Sequence, residues 1–332
     1  MTAKAEGFDR LVEPFRTELL AYCYRMLGST DEAEDLVQET YLRAWRSFGG
    51  FEGRASARTW LYRIATNACL TALERRARRP LPAGLGAPDE DPAVALATGP
   101  EVPWLQPFPG DPAAAVVARE GIRLAFVAAL QYLSARQRAV LIMRDVLDWP
   151  AAEAADLLGM TTTAVNSSLR RARDQIAAAL PAGSDAADVT GLAEPEDPAQ
   201  RALLDRYAAA IENGDASALA GLLREDIALE MPPLLTWFAG RDTVIRFIAA
   251  SLLPGPGLLR LLPVTANGQP GFAVYEREPD GTFRAHAIQV LTITNRGIAR
   301  IVAFADPSLF TPFGLPERLP AAHPAPHPEP GN

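Results

Sequence analysis

The chain is poor in the residues that cross-link small folds. Its 332 residues contain two cysteines, Cys23 and Cys69, and no CxxC or Cys/His cluster. That argues against a disulfide framework and a zinc site, and both thiols are expected as small core residues in a reducing compartment. Lysine is nearly absent: Lys4 stands alone, so almost all positive charge is arginine. No window holds about 18 uninterrupted apolar residues, which argues against a membrane span. Met1 to Arg10 lack the apolar stretch of a signal peptide, so a cytoplasmic location is expected. A basic surplus is missing too. The formal net charge of −8 argues against an independent, tight DNA binder, though less against a protein that meets nucleic acid through a larger partner. What is present, 48% hydrophobic and 22% charged residues, is ordinary globular composition. The length fits two or three domains of about 100–200 residues.

Proline divides the chain. Residues 8–80 are dense in helix formers. Residues 81–112 carry so many prolines that a long helix is forbidden and an extended, semi-rigid connector is expected. Residues 113–182 are helical again, 183–198 form a small acidic break, and 199–316 read as helices followed by alternating strands. The proline-rich tail, 317–332, is expected to be disordered, its two histidines solvated. No internal repeat is visible.

In the first block Phe8, Leu11, Phe15, Leu19, Tyr22 and Met26 recur every three or four residues and predict one helix, ended by Gly28. Ser29 and Glu32 form a capping box for the next, whose inward stripe is Ala33, Val37, Thr40, Tyr41, Ala44 and Phe48. A glycine-rich loop with Phe51 and Arg54 follows. A third helix turns Leu61, Ile64, Ala65, Ala68 and Ala72 inward, with Arg58, Thr59, Tyr62, Arg63, Thr66 and Asn67 on its other side. Aromatic rings interleaved with arginine and small polar groups suit single-stranded nucleic acid. Phe51 and Trp60 as core rings, and the terminal arginines as partners of a helix C-terminus, are the plainer alternatives.

The strings DEAEDLVQETYLRAW and TWLYRIATNACLTALERRAR, separated by the short Gly/Phe loop, closely resemble region 2 of bacterial sigma factors of the extracytoplasmic-function group. The resemblance implies that Asp35, Gln38, Glu39, Arg43 and Trp45 dock on the β′ clamp helices of core RNA polymerase. It implies that the loop from Phe51 to Ser56, with Arg54, captures a flipped base of the melted minus-ten element. Trp60, Arg63 and Asn67 would line the adjoining strand path. Trp60 as a core ring supporting the loop stays open beside direct base contact.

The second block repeats the pattern of caps and stripes. Asp111-Pro112 reads as a helix start and Ser134 with Gln137 as a capping box. Pro150 opens a short helix, Gly159 makes a turn, and Thr161 caps the next helix. That is the spacing of a helix-turn-helix. In the last helix Val165, Leu169, Ala172 and Ile176 face inward, leaving Thr163, Asn166, Ser167, Arg170, Arg171 and Arg173 outward, side chains that suit the major groove and its phosphates. A generic helical hairpin is the alternative. The string from Ser134 to Ile176 resembles sigma region 4, the reader of the minus-thirty-five element. By that match Asn166, Ser167, Arg170 and Arg171 approach bases or phosphates, Arg136 and Arg138 contact backbone, and the β flap of polymerase is a partner. Trp149-Pro150 departs from the small hydroxyl cap commoner there. The linker string EVPWLQPFPGDP resembles a subgroup carrying an extra C-terminal domain; what Trp104 and Phe108 pack on is left open.

The C-terminal block is α+β: a helix around Leu203–Ile211, another over Ala216–Leu223, a strand at Ile227–Met231, a helix over Thr243–Leu252, then a bent antiparallel sheet. LLDRYAAAIENGD, DIALEMPP and TWFAGRDTVIRF resemble the cone-shaped SnoaL-like fold. That fold implies an apolar pocket, for which Trp237, Tyr275 and His286 are candidates, with Asp226 and Glu230 as carboxylates near the histidine. A lone histidine is weak support for acid–base work, and packing or ligand contact is the favoured role. Together the resemblances imply two all-α sigma domains plus a regulatory α+β domain. The partners are core polymerase and promoter DNA, with a small-molecule ligand of the last domain a further candidate. No catalytic residue, cofactor or metal is implied. The rival is a polymerase-independent helix-turn-helix regulator that senses a ligand, in which the region 2 strings would have no task.

Overall fold

The computed structural model describes residues 2–51, 56–74, 76–110, 123–179, 198–251 and 255–321. The chain forms two compact units. The first comprises Met1–Gly84, Pro100–Gly191 and Ala266–Gly268; the second comprises Leu85–Gly99, Leu192–Thr265 and Gln269–Asn332.

The first unit is helical. The single helix expected from Phe8 to Met26 is divided into α1 (Thr2–Val12) and α2 (Arg16–Leu27) by a 3-10 turn at Glu13–Phe15. Pro14 is the reason: it has no N–H to donate and its ring clashes with the carbonyl one turn back. Gly28 ends α2 in the left-handed conformation, φ 72°, where a side chain would be strained. Ser29 then caps α3 (Thr30–Ser47) by accepting the Glu32 N–H. The reciprocal half of the expected box is replaced: Ser29 Oγ donates to Gln106 Oε1 at 2.7 Å, and Glu32 pairs with Arg76 and Arg79. Ser56 caps α4 (Ala57–Leu73) in the same way through the Thr59 N–H.

α5 (Leu124–Leu130) and α6 (Ala135–Leu141) follow, α6 opened by the complete Ser134/Gln137 capping box. After a π-helical turn at Ile142–Val146 come α7 (Ala151–Leu158), the left-handed turn at Gly159, and α8 (Thr162–Ala179), with Thr161 Oγ1 accepting the Ala164 N–H. Val165, Leu169 and Ala172 are buried and seat α8. The expected start at Asp111-Pro112 lies outside the described residues.

Two expectations about this unit change. The helical blocks do not stand apart on a tether: both belong to one unit, with Trp149 buried against Tyr62 at a ring separation of 5.1 Å. Nor is the second half of the proline-rich segment a free spacer. The Leu105 and Gln106 N–H groups donate to Pro80 O and Gly28 O, Arg79 donates to Trp104 O, and Phe108 packs on Tyr24 at 4.7 Å. Asn267, which belongs to this unit, accepts the Phe108 N–H and donates to Tyr24 Oη. Proline removes N–H groups but leaves carbonyls and the remaining amides to be satisfied, and docking satisfies them.

The second unit is α+β. α9 (Pro198–Glu212) and α10 (Ala216–Ala220) precede β1 (Leu223–Glu230) and β2 (Trp237–Ala239), and α11 (Arg241–Ser251) precedes β3 (Leu259–Ala266), β4 (Gln269–Arg277), β5 (Phe283–Thr294), β6 (Gly297–Phe304) and β7 (Arg318–Leu319). The sheet order is β2-β1-β6-β5-β4-β3, with β7 on β5. The sheet is mixed rather than antiparallel throughout, because β1 runs parallel to β6. α10 stops at Gly221, so β1 starts earlier than the alternation from Ile227 predicts. The expected tail also begins too early: Arg318 and Leu319 pair with Arg284 and Phe283. Residues 85–99 add to this unit, with Asp89 N–H to Trp237 O at 2.8 Å and Leu235 N–H to Ala97 O at 2.7 Å. Its core gathers Tyr207, Leu229, Phe247, Phe272 and Leu291 between helices and sheet.

On β4, beside β5, there is no room for a side chain at Gly271: an added Cβ would lie 2.1 Å from Gln289 O. Gly271→Ala must therefore force the backbones apart. We expect a loss of about 2 kcal/mol or more in unfolding free energy, read as a lower urea midpoint for loss of sheet signal; an unchanged midpoint would contradict the close approach.

Candidate nucleic-acid interface

Three helix faces of the first unit carry the residues that the sequence singles out. On α3, Ala33, Val37, Thr40 and Ala44 are buried, which turns Asp35, Gln38 and Leu42 to solvent on the opposite side. Arg43 donates to Glu39 at 2.7 Å one turn away, and Trp45 rests edge-on against Phe8 at 5.2 Å while staying partly exposed. Leu42, 52% exposed, was not among the expected docking residues. It lies four positions after Gln38 on an otherwise polar face, a place where a single exposed leucine is ordinary.

On α4, Trp60, Arg63 and Asn67 share one face at helical spacing. Phe51 stacks on Trp60 with ring centroids 4.5 Å apart and planes 26° apart, so each ring covers the other. Ser56, exposed, is spent on the cap of α4. Arg54 lies outside the described residues. Asn67 is exposed; Arg63 is held by Asp156 of α7 at 2.5 Å. Tyr62 and Thr66, expected on the outer side, are fully buried instead. Thr66 bonds Tyr22 Oη at 2.8 Å, and Tyr62 meets Trp149, with the Arg58 guanidinium over both rings and paired to Glu18. The apolar surface that rejects water here is supplied by Trp149, which the sequence places on a different helical block.

On α8, Thr163, Asn166, Arg170, Arg171 and Arg173 are exposed and Ser167 is partly covered. Arg173 makes two bonds to Asp145, at 2.9 and 2.7 Å; the bonded carboxylate raises its pKa further. Arg170 and Arg171 follow one another, so helical geometry fans them over adjacent parts of the face. Arg136 is exposed, but Arg138 is not a backbone-contact candidate. It is 4% exposed and donates to Met26 O, Gln131 Oε1 and Leu133 O. Its place in the stripe of α6, between Ala135 and Val140, fixes it inward.

The second unit does not bring its candidates together. Trp237 Nε1 donates to Gly86 O, Tyr275 is buried on Phe310 with its hydroxyl on Pro316 O, and Asp226 is paired with Arg224. Glu230 is buried and bonded to Arg300 at 2.5 Å. His286 is the extra residue of a β-bulge, between the pairs Val274↔Ala287 and Tyr275↔Ala285. A bulge re-aims its side chain, and His286 Nδ1 faces the exposed Glu276 at 3.5 Å. Trp237, Tyr275 and His286 thus lie in three separate environments, and the core between helices and sheet is apolar.

Comparison with known proteins places both helical blocks in known families. Residues 11–79 match the model of Sigma-70 region 2 and residues 123–176 that of Sigma-70 region 4. The chain is 48% identical over 319 residues to the ECF RNA polymerase sigma factor SigG of Mycobacterium tuberculosis strain H37Rv, covering 94% of this chain and 85% of that protein. It is 31% identical over 317 residues to SigJ of the same strain, covering 92% and 94%. The crystal structure of SigJ superposes with a TM-score of 0.63 at 26% identity, over 92% of this chain and 98% of that one.

The packing of α4 on α7 has an apolar part and an ionic part of unequal weight. Asp156→Asn should change unfolding free energy by less than about 1 kcal/mol, because the pair is exposed. Trp149→Ala should cost about 3–5 kcal/mol. Urea titrations of the two variants should rank them in that order, and equal losses would mean that the indole is not what joins the helices.

Proposed function

Since this chain belongs to the extracytoplasmic-function RNA polymerase sigma factors, we propose that it joins core RNA polymerase, selects promoters for it and opens them, catalysing nothing itself. Asp35, Gln38, Glu39, Arg43 and Trp45, with Leu42, take the β′ clamp helices, and the second helical block takes the β flap. Phe51, Arg54 and Ser56 hold a flipped minus-ten base, while Trp60, Arg63 and Asn67 carry the strand beside it. A base leaves its stack when an aromatic surface and phosphate-binding cations replace what it loses. Here the Phe51–Trp60 stack parts to admit the base, and Arg63 exchanges Asp156 for phosphate.

The observation that carries the reading is the face of α8. Second helix of a helix-turn-helix, it buries Val165, Leu169 and Ala172 and leaves Thr163, Asn166, Arg170, Arg171 and Arg173 to solvent, with Ser167 at the margin. Asparagine pairs with adenine edges and arginine with guanine or phosphate, which fits the minus-thirty-five duplex. The acidic total charge suits this division of labour, because polymerase contributes most of the binding surface. The cytoplasm, where polymerase and genome meet, is the proposed location, and among the described residues no helix is long and apolar enough to cross a membrane.

The second unit is assigned a regulatory role, supported by its retention across nearly the whole length shared with SigG and SigJ. The dispersal of Trp237, Tyr275 and His286 gives no support to a small-molecule ligand, so none is part of the reading.

Run-off transcription with purified core polymerase tests the proposal. The full chain should direct initiation from a cognate promoter, and removal of residues 198–332 should change the yield. No association with core enzyme, by either form, would overturn the reading in favour of a polymerase-independent regulator. Asn166→Ala or Arg171→Ala should each weaken promoter binding of the holoenzyme by about 1–3 kcal/mol, measured by competition between promoter fragments. Substituting the exposed Arg136 should lower affinity evenly across sequences.

A further inference from the structure

The two cysteines of the chain lie together. Cys23 of α2 and Cys69 of α4 are 46 residues apart in sequence, both wholly buried, with their sulfurs 3.8 Å apart. A disulfide needs about 2.05 Å between sulfurs, so a side-chain rotation and a small approach of α2 and α4 would close the gap. A second feature bears on the pair. Arg138 is buried and its positive charge favours the ionised form of Cys69; its hydrogen-bond acceptors are the uncharged oxygens of Met26, Gln131 and Leu133, and its Nε is buried without a hydrogen-bond partner. A cation placed so favours a thiolate nearby, the form of cysteine that reacts.

We propose that Cys23 and Cys69 are a redox pair, which peroxides convert into one intramolecular disulfide that draws α4 toward α2. The Cys69 thiolate, favoured by Arg138, attacks a peroxide oxygen; the O–O bond breaks, hydroxide leaves, and Cys69 becomes a sulfenic acid. The Cys23 sulfur then displaces that hydroxyl, forming the S–S bond, while its proton leaves with the hydroxyl as water. Two thiols and one hydrogen peroxide give one disulfide and two waters, so the thiols lose two electrons and the peroxide gains them. At rest the pair is protected: the hydrogen bond with Cys23, then burial, holds the Cys69 thiol well above its ordinary pKa, against the opposing pull of Arg138. The reaction is therefore slow and needs sustained oxidant. Its consequence follows from position. Cys69 sits two residues after Asn67 on α4, and Cys23 three before Met26, whose carbonyl anchors Arg138. Closing the bond shifts both the strand-binding face and that anchor.

The test uses the full chain treated with millimolar hydrogen peroxide, then denatured, alkylated with N-ethylmaleimide and mapped by mass spectrometry without reductant. We expect one cross-linked species joining the Cys23 and Cys69 peptides, lighter than their sum by two hydrogen atoms and cleaved by dithiothreitol. Cys69→Ala should abolish it. Arg138→Gln should slow it at least about twofold, since the cation favours the thiolate, while Arg138→Lys restores the rate, with circular dichroism reporting that each variant folds. Cysteines still fully alkylated after exposure, or cross-linked only in urea, would overturn the proposal. A separate arm rests on the sigma-factor reading: run-off yield should fall at least about fivefold on oxidation and recover with dithiothreitol, with Cys69→Ala unresponsive. An unchanged yield alongside a formed disulfide would overturn the shift of the strand-binding face and leave the modification site standing. An absence of transcription by the reduced protein would count against the sigma-factor reading instead.

Discussion

Arg138 is a charge taken out of water and held where a helix has finished. The last turn of any α-helix leaves carbonyls without partners, and the C-terminal end carries partial negative charge. In α2 the Gly28 N–H satisfies Tyr24 O, the Gln106 N–H satisfies Gly28 O, and Arg138 reaches Met26 O. Burial lowers the pKa of the guanidinium to about 10, which leaves it cationic at neutral pH. An ion in such a place needs several acceptors at once, and here they come from α2 and from the turn after α5. The helices on either side of the proline-rich segment are thereby fixed in one unit, and the indole of Trp149 closes the same seam against Tyr62.

That seam bears directly on function. Two arginines assigned to DNA are engaged by carboxylates of the chain: Arg63 with Asp156, and Arg173 with Asp145. Both pairs are solvent-exposed, and exposed pairs contribute about 0–1 kcal/mol. Exchanging a carboxylate for a phosphate in such a pair costs little, whereas parting the Trp149–Tyr62 contact exposes a large apolar area. The electrostatic surface is ready to exchange partners; the apolar seam sets how readily the helices move. A chain with a net charge of −8 neutralises Arg63 and Arg173 with its own acids; under the proposed function, polymerase and promoter take the place of those acids.

Most of the helical architecture was legible because its signals are local. The Ser134/Gln137 box, the caps at Ser29 and Thr161, and the turns at Gly28 and Gly159 appear where residue type and spacing put them. So does the outward face of α8. What misled was context. The apolar spacing from Phe8 to Met26 concealed the effect of Pro14, and Tyr62 and Thr66 read as an outer face because their cover, Trp149 and Tyr22, comes from elsewhere in the chain. In the second unit, alternation marked the strands but not their direction, so the parallel pairing of β1 with β6 and the bulge at His286 were invisible.

The sequence by itself determined the elements, the order of the two helical motifs and the sigma-factor membership. Each of these rests on short-range periodicity or on literal strings. Tertiary structure alone decided which charges are committed and which are free: that Arg138 is inside, that Arg63 meets Asp156, that Cys23 meets Cys69 and that Trp237, Tyr275 and His286 never meet. Those outcomes depend on pairs of residues far apart in the chain, whose separation is set by packing and by strand register, and neither leaves a mark in local composition.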